Sequence, residues 1–389
     1  MFKIIGMTKL IWKLFKIVLT LLLAFLMYVV IGGVVPFLHH PDVSQTKKEA
    51  VESTQFYSDS AGPDRATIIE DNEEALKMRL RVIKDAKKTL ILSTFDFRSD
   101  DAGKDILAAL LNAADRGVKV EIFADGFNSI IQMENNDYFY ALSSNKNIKI
   151  IIYNQVNILI PWNGLGRMHD KYVIADDSLY ILGGRNTFGY FLGDYAGHKN
   201  YDRDVLVYNT GSKDSSIYQI KDYYKKITSQ KCCSVFHYNE SLGEKNSVKK
   251  AEQELKNRYE SLENKYDKFL AENYDYKANT YETNKINLLS NPTSLYAKQP
   301  TVYYGLMYLA KNAKKEVKIH TPYIICNDYM YNELKNIKVP TTIMTNSAEN
   351  NGNIFGAVDY LNHKKDIINT GVTIKEYEGG ISYHGKSMT

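Results

Sequence analysis

Cysteine is scarce, with three in 389 residues. Cys232 and Cys233 are adjacent and Cys326 stands alone, so neither a disulfide framework nor a CxxC zinc pattern is available. Eight prolines and 23 glycines are too few for a collagen-like or low-complexity chain. Charge of one sign is missing as well, because Lys3, Lys9, Lys13 and Lys16 account for the whole formal charge of +4 and the rest of the chain is neutral. A neutral body argues against a broad electrostatic grip on nucleic acid, whose affinity comes largely from cationic side chains releasing counterions. Nor is there an H-E-x-x-H, a Walker A, a G-x-S-x-G or a dinucleotide fingerprint. With 24 % charged and 44 % hydrophobic residues, the chain is neither disordered nor a fully membrane-embedded transporter. Its length suits two or three domains of about 150 residues.

What is present begins with one long apolar run. Residues 17–38 carry no charged side chain, and as a helix they would rise about 33 Å against a hydrocarbon core of about 30 Å. The apolar stretch is longer than a signal peptide's and lacks a clear small-x-small cleavage site, so an uncleaved anchor is expected. Lysines before the span and His39, His40 and Asp42 after it predict a cytoplasmic amino terminus at 1–16 and the remaining chain outside the cytoplasm. A polar tether is expected at 39–66.

Beyond it, apolar spacing predicts alternating helices and strands. Helices are expected over 71–88 and 103–116, strands over 90–95, 118–124 and 148–153, a hairpin at 172–175 and 179–182, and a strand at 205–208. Ala86–Thr94 aligns with Ala313–Thr321 at a constant offset of 227, each copy leaving a helix and entering a strand. The expected fold is α/β: two similar lobes, at 67–240 and 284–389, with sheets flanked by helices and one transmembrane helix ahead of them. Between the lobes, at 241–283, Val248, Ala251, Leu255, Tyr259, Leu262, Tyr266 and Phe269 predict an inserted amphipathic helix lying on the core. Ile158–Trp162 reads as a buried strand end, with contact to acyl chains or the bilayer interface, where tryptophan is favoured, as the alternative, and the 30 tyrosines, being scattered, read as packing rather than base-stacking platforms.

The chemistry lies in Met168–Asn186, where His169, Lys171, Asp176, Gly183, Gly184 and Asn186 fall at relative positions 0, +2, +7, +14, +15 and +17. In a strand, His169 and Lys171 would share a face, and Asn186 would return past a glycine pair that lets backbone approach closely. An imidazole, an ammonium and a carboxamide at one spot suit a phosphodiester, with a nucleophile or acid-base group beside donors for the non-bridging oxygens. Asp176 is expected to buttress the hairpin. His198 and His363 lack the full spacing, and His39 and His40 beside a membrane span are poor metal ligands. The chemistry calls for no metal and no cofactor.

This pattern resembles the HKD motif of the phospholipase D superfamily, and its Gly-Gly-Arg-Asn ending is similar to that of bacterial cardiolipin synthase-like members. Thr321-Pro322-Tyr323, Thr345-Asn346-Ser347 and Arg203-Asp204 resemble that branch too. The resemblance implies two HKD motifs, one per lobe, sharing one active site. His384 and Lys386 supply the second H-x-K, whose aspartate would fall at position 391, past Thr389, so this motif is expected to be incomplete in the chain given. It further implies catalytic roles for His169, Lys171, Asp176, Asn186, His384 and Lys386, substrate contacts from Gly183, Gly184 and Asp204, and for Asp204 also a role in orienting or polarising a histidine. The implied reaction is phosphatidyl transfer or hydrolysis on a phospholipid such as phosphatidylglycerol, through a phosphohistidine, at a membrane. No nucleic-acid partner and no obligate protein partner are expected; a tethered nuclease and an inactive lipid-binding scaffold are the alternatives.

Overall fold

The computed structural model describes residues 2–237, 240–267, 269–270 and 274–389. The amino-terminal helix Phe2–Val34 includes most of a segment, Leu10–Phe37, that is long and apolar enough to cross a membrane, and none of that segment is buried. The next stretch is not a free tether. A helix at Gln45–Glu52 buries Val51, and Val43 joins it against Tyr304. Two apolar side chains in an otherwise polar stretch suffice to hold it on the body.

The first lobe is built on strands β1 (Asp64–Ile69), β2 (Thr89–Thr94), β3 (Lys119–Asp125), β4 (Ile148–Tyr153), β5 (Tyr172–Ala175), β6 (Leu179–Gly183), β7 (Asn200–Tyr201), β8 (Asp204–Asn209), β9 (Cys233–Val235) and β10 (Tyr281–Glu282). All but β7 join one sheet of order β10-β1-β8-β6-β5-β2-β3-β4-β9. Alternation along the strands loads both faces. Leu90, Leu92, Val120, Ile122, Ile150 and Ile152 point into one core. Ile91, Phe123, Ile151, Tyr153, Ile174 and Tyr180 point into the other, under the helix Ile217–Thr228.

Helices Asn72–Asp85 and Asp101–Asp115 cover the first face, and their capping carboxylates Asp71 and Asp100 accept from the backbone N–H of Glu74 and Gly103. The helix Asn246–Lys265 lies on the same side, burying Val248, Ala251, Leu255, Tyr259 and Leu262 against Asp101–Asp115 and Asp137–Ser144. Arg258 on its flank donates to buried Asp105 at 2.6 Å.

The second lobe has strands β11 (Val317–His320), β12 (Thr341–Asn346), β13 (Thr373–Tyr377), β14 (Ser382–Tyr383) and β15 (Ser387–Met388), with a sheet of order β13-β12-β11-β15. That order repeats β4-β3-β2-β5, strand for strand, with the same parallel and antiparallel senses. The repeat holds to the residue. Ser93 pairs with Tyr172 and His320 with Ser387, the partners being in each case the residue that follows an H-x-K. At the end of each central strand a threonine hydroxyl, Thr94 or Thr321, donates to the carbonyl two residues on, at Asp96 or Tyr323, at 3.1 and 2.9 Å. The lobes meet where β14 pairs in parallel with β7, Ser382 opposite Asn200 and Tyr383 opposite Tyr201.

Candidate active site

His169 and Lys171 do not lie in a strand. They occupy irregular backbone just before β5, and the same is true of His384 and Lys386 before β15. The first turn is fixed from behind by Asp125 at the end of β3, whose carboxylate accepts from the Met168 N–H at 2.9 Å and pairs with Arg167 at 3.3 Å. In both turns the lysine curls back on its own histidine. Lys171 Nζ donates to the His169 carbonyl at 2.6 Å and lies 2.9 Å from Nδ1. Lys386 Nζ donates to the His384 carbonyl at 2.7 Å and lies 3.2 Å from Nε2. Each histidine is backed by a ring, His169 by Phe95 at 4.5 Å and His384 by Tyr323 at 6.1 Å.

The two turns face each other closely enough to sense each other's charge. Crowding by protein, then the ammonium groups of Lys171 and Lys386, then His384, hold His169 well below the usual imidazole pKa. The His169 ring also has a face open to water, which tempers the first of these effects. Lys171, almost fully buried and facing Lys386, is pushed down to about 7. Lys386, which water reaches, is pushed down less, to about 8. A cavity of about 380 Å³ beside the first turn is lined by His169, Lys171, Arg167, Tyr223 and Lys298 among others.

Asp202 is the residue that sequence reasoning missed. Its carboxylate sits 2.7 Å from His384 Nδ1, across the lobe junction, while the His384 N–H donates to the Tyr201 carbonyl at 2.6 Å. Burial lowers the His384 pKa and Asp202 offsets part of that; Asp202 is in turn held below the usual carboxylate value by His384 and Lys386 despite its own burial.

Asp204, expected to orient a histidine or contact substrate, does neither. It is fully buried, with Oδ2 accepting from Arg79 at 2.9 Å and from Arg185 at 3.1 Å. The two acids differ because Asp204 opens β8 with its side chain turned into the core, whereas Asp202 lies between β7 and β8, beside the pairing with β14.

The glycine pair makes room for these acids, and Gly183 also lines the cavity beside the first turn. A Cβ on Gly183 would lie 1.8 Å from Asp204 Oδ1, and one on Gly184 would lie 2.5 Å from both Asp202 oxygens. Asp176 is likewise remote from the histidines. With φ of 53°, it accepts from the backbone N–H groups of Lys87, Lys88 and Thr89, each at 2.8 Å, and so ties the hairpin to the start of β2. Asn186 stands nearer: its Oδ1 accepts from the Asp96 N–H at 3.3 Å, one residue from Phe95, leaving its NH2 to donate.

Residues 80–227 match the family model described as cardiolipin synthase, PLD-like domain. Those residues form a phospholipase D-like domain. The chain is 26 % identical over 338 residues to an uncharacterized protein of Helicobacter pylori, an alignment spanning 80 % of the chain and 65 % of the relative. It is 31 % identical over 142 residues to cardiolipin synthase B of Salmonella typhi, 36 % of the chain and 34 % of that protein. The alignments thus span a little under two-thirds of the first relative and about a third of the second. In fold it is similar to phosphatidylserine synthase of Haemophilus influenzae, with a TM-score of 0.55 at 14 % identity over 89 % of this chain and 80 % of that one.

Proposed function

We propose that the chain is a membrane-anchored phosphodiesterase or phosphatidyltransferase of phospholipids. The observation that carries this reading is the meeting of two H-x-K turns from repeated lobes, with His384 held by an acid of the other lobe. A nucleophilic imidazole must be neutral, and His169 is the more strongly biased to that form. His384 has Asp202 to stabilise an added proton, and an arriving phosphodiester anion stabilises it further, so it is the proton carrier.

A ring nitrogen of His169 attacks phosphorus, the bond to the leaving alcohol breaks with its electron pair, and His384 gives that oxygen its proton. Water or a second alcohol then returns a proton to His384 as its oxygen attacks, and the phosphorus–nitrogen bond breaks back to His169. Lys171, Lys386 and the Asn186 amide supply charge and donors for the non-bridging oxygens. With phosphatidylglycerol as both donor and acceptor, the product is cardiolipin and the leaving group glycerol. The lysine-flanked helix is the anchor, its amino terminus cytoplasmic.

The test is mass analysis of lipids extracted from cells making the full chain, with His169→Ala as control. Accumulation of cardiolipin, or of another headgroup-exchanged or hydrolysed lipid, in the first alone supports the reading. Identical lipid profiles, together with no turnover of purified protein on phospholipid vesicles, would overturn it.

A further inference from the structure

The apolar loop before the first histidine is not the buried strand end that its composition suggests. From Asn154 to Gly166 it holds no Asp, Glu, Lys, Arg or His, yet Ile158, Leu159, Trp162 and Leu165 are 40 to 65 % exposed. Four large apolar side chains in one short exposed loop form a patch that a soluble surface seldom carries without a partner. Two contacts fix its place. The Tyr28 hydroxyl of the amino-terminal helix donates to the Leu159 carbonyl at 2.9 Å, and Gly32 packs so closely on Pro161 that a Cβ there would lie 2.6 Å from its Cγ.

These contacts fall inside the uncharged run that ends at Leu38, not beyond it. From Tyr28 to the end of the helix at Val34 the rise is about 9 Å, so the loop reaches roughly that far down the apolar shaft. Side chains at that level, if the helix spans a bilayer, sit at the boundary between headgroups and acyl chains, where tryptophan is favoured and charge is costly.

We propose that loop Asn154–Gly166 is a second membrane-docking element, inserted in the outer edge of the same bilayer as the helix. The occupant of the patch is lipid, because the patch is continuous with the apolar helix and lacks charge throughout. Leu165 lies four residues before His169, so docking sets the height of the catalytic turn above the headgroups. This inference rests on the reading of Phe2–Val34 as a membrane anchor.

Trp12 and Trp162 are the two tryptophans of the chain, so Trp12→Phe leaves one reporter in the loop. The full chain carrying this change is reconstituted into phosphatidylcholine vesicles, with lipid brominated near the carboxyl end of the acyl chains, and flotation is measured alongside emission. Docking predicts flotation and a loss of about half the Trp162 emission on bromination, with recovery in Leu159→Glu. Flotation with unquenched emission overturns the docked loop while leaving the anchor intact, and a blue shift without quenching means that Trp162 is buried against this chain or a second copy of it rather than lipid, which overturns the proposal as well. A chain that fails to float overturns the anchor and the docked loop together.

Discussion

His384 Nδ1 and Asp202 Oδ2 lie 2.7 Å apart although 182 residues separate them in sequence, and the contact crosses from one lobe to the other. The carboxylate fixes the ring and favours its protonated form, which is what a group donating to a leaving alcohol needs. Asp202→Asn keeps the shape and removes the charge. Turnover is expected to fall by roughly a hundred- to ten-thousandfold. The His384 pKa, read by NMR of the ring, should drop further; an unchanged ring pKa would show that Asp202 merely supports the fold.

The two histidines are separable by the leaving group. An activated aryl phosphodiester leaves without a proton, so His384→Ala should still release the aryl alcohol in a first-turnover burst and accumulate the phosphoenzyme, while losing roughly a thousandfold even in that first step on a phospholipid. His169→Ala should lose both, together with the acid-labile, alkali-stable label on the protein, because no phosphohistidine can form. Like responses of the two variants to the two substrates would show no division of roles, and swapped responses would reverse it.

Much of this was legible in the chain. The 227-residue offset survives as matched register in β2 and β11, and the apolar runs expected as strands at 90–95, 118–124 and 148–153 become β2, β3 and β4, their side chains divided between two sheet faces. Local spacing carries such features because strand geometry is local. Asp202 was not legible. Only the pairing of β7 with β14, a contact between distant segments, makes it rather than Asp204 the partner of His384. The loop at 158–162 misled for a similar reason, since apolar composition does not distinguish a core from a surface beside a membrane helix. The glycine pair was visible, but what it makes room for depends on two carboxylates that fold back upon it.

Lys171 gives the pH dependence its sign. Its folded pKa, about 7, lies below the ordinary lysine value, so the free protein loses this positive charge as pH rises through 7. Between there and the unfolded pKa the unfolded chain binds the extra proton, and this group's cost to stability therefore shrinks as pH rises. Activity moves the opposite way: kcat/KM should fall through about pH 7 to 8 as the phosphate oxygens lose a cation. The limb in kcat should sit higher, because a bound anion holds the proton on. Lys171→Arg stays charged at every accessible pH, so it should lower activity but flatten the first limb; a limb left in place would belong to another group.

Asp204 and Asp202 should part company in a stability measurement. Asp204 lies between the buried guanidinium groups of Arg79 and Arg185. Removing a carboxylate from such a site leaves buried charge without its counter-ion, at a cost of about 3–5 kcal/mol. Asp204→Ala should therefore lower the unfolding free energy, from urea titration of the detergent-solubilised chain, by that amount, and Gly183→Ala should follow it in direction, by about 1–3 kcal/mol, because its Cβ would drive Asp204 away from both arginines. Asp202→Asn removes one charge at a lobe junction that β7 and β14 still hold, so its unfolding midpoint should stay close to wild type while its turnover collapses. An Asp204→Ala chain as stable as wild type would mean that Arg79 and Arg185 find other partners, and the role assigned to the glycine at 183 would fall with it.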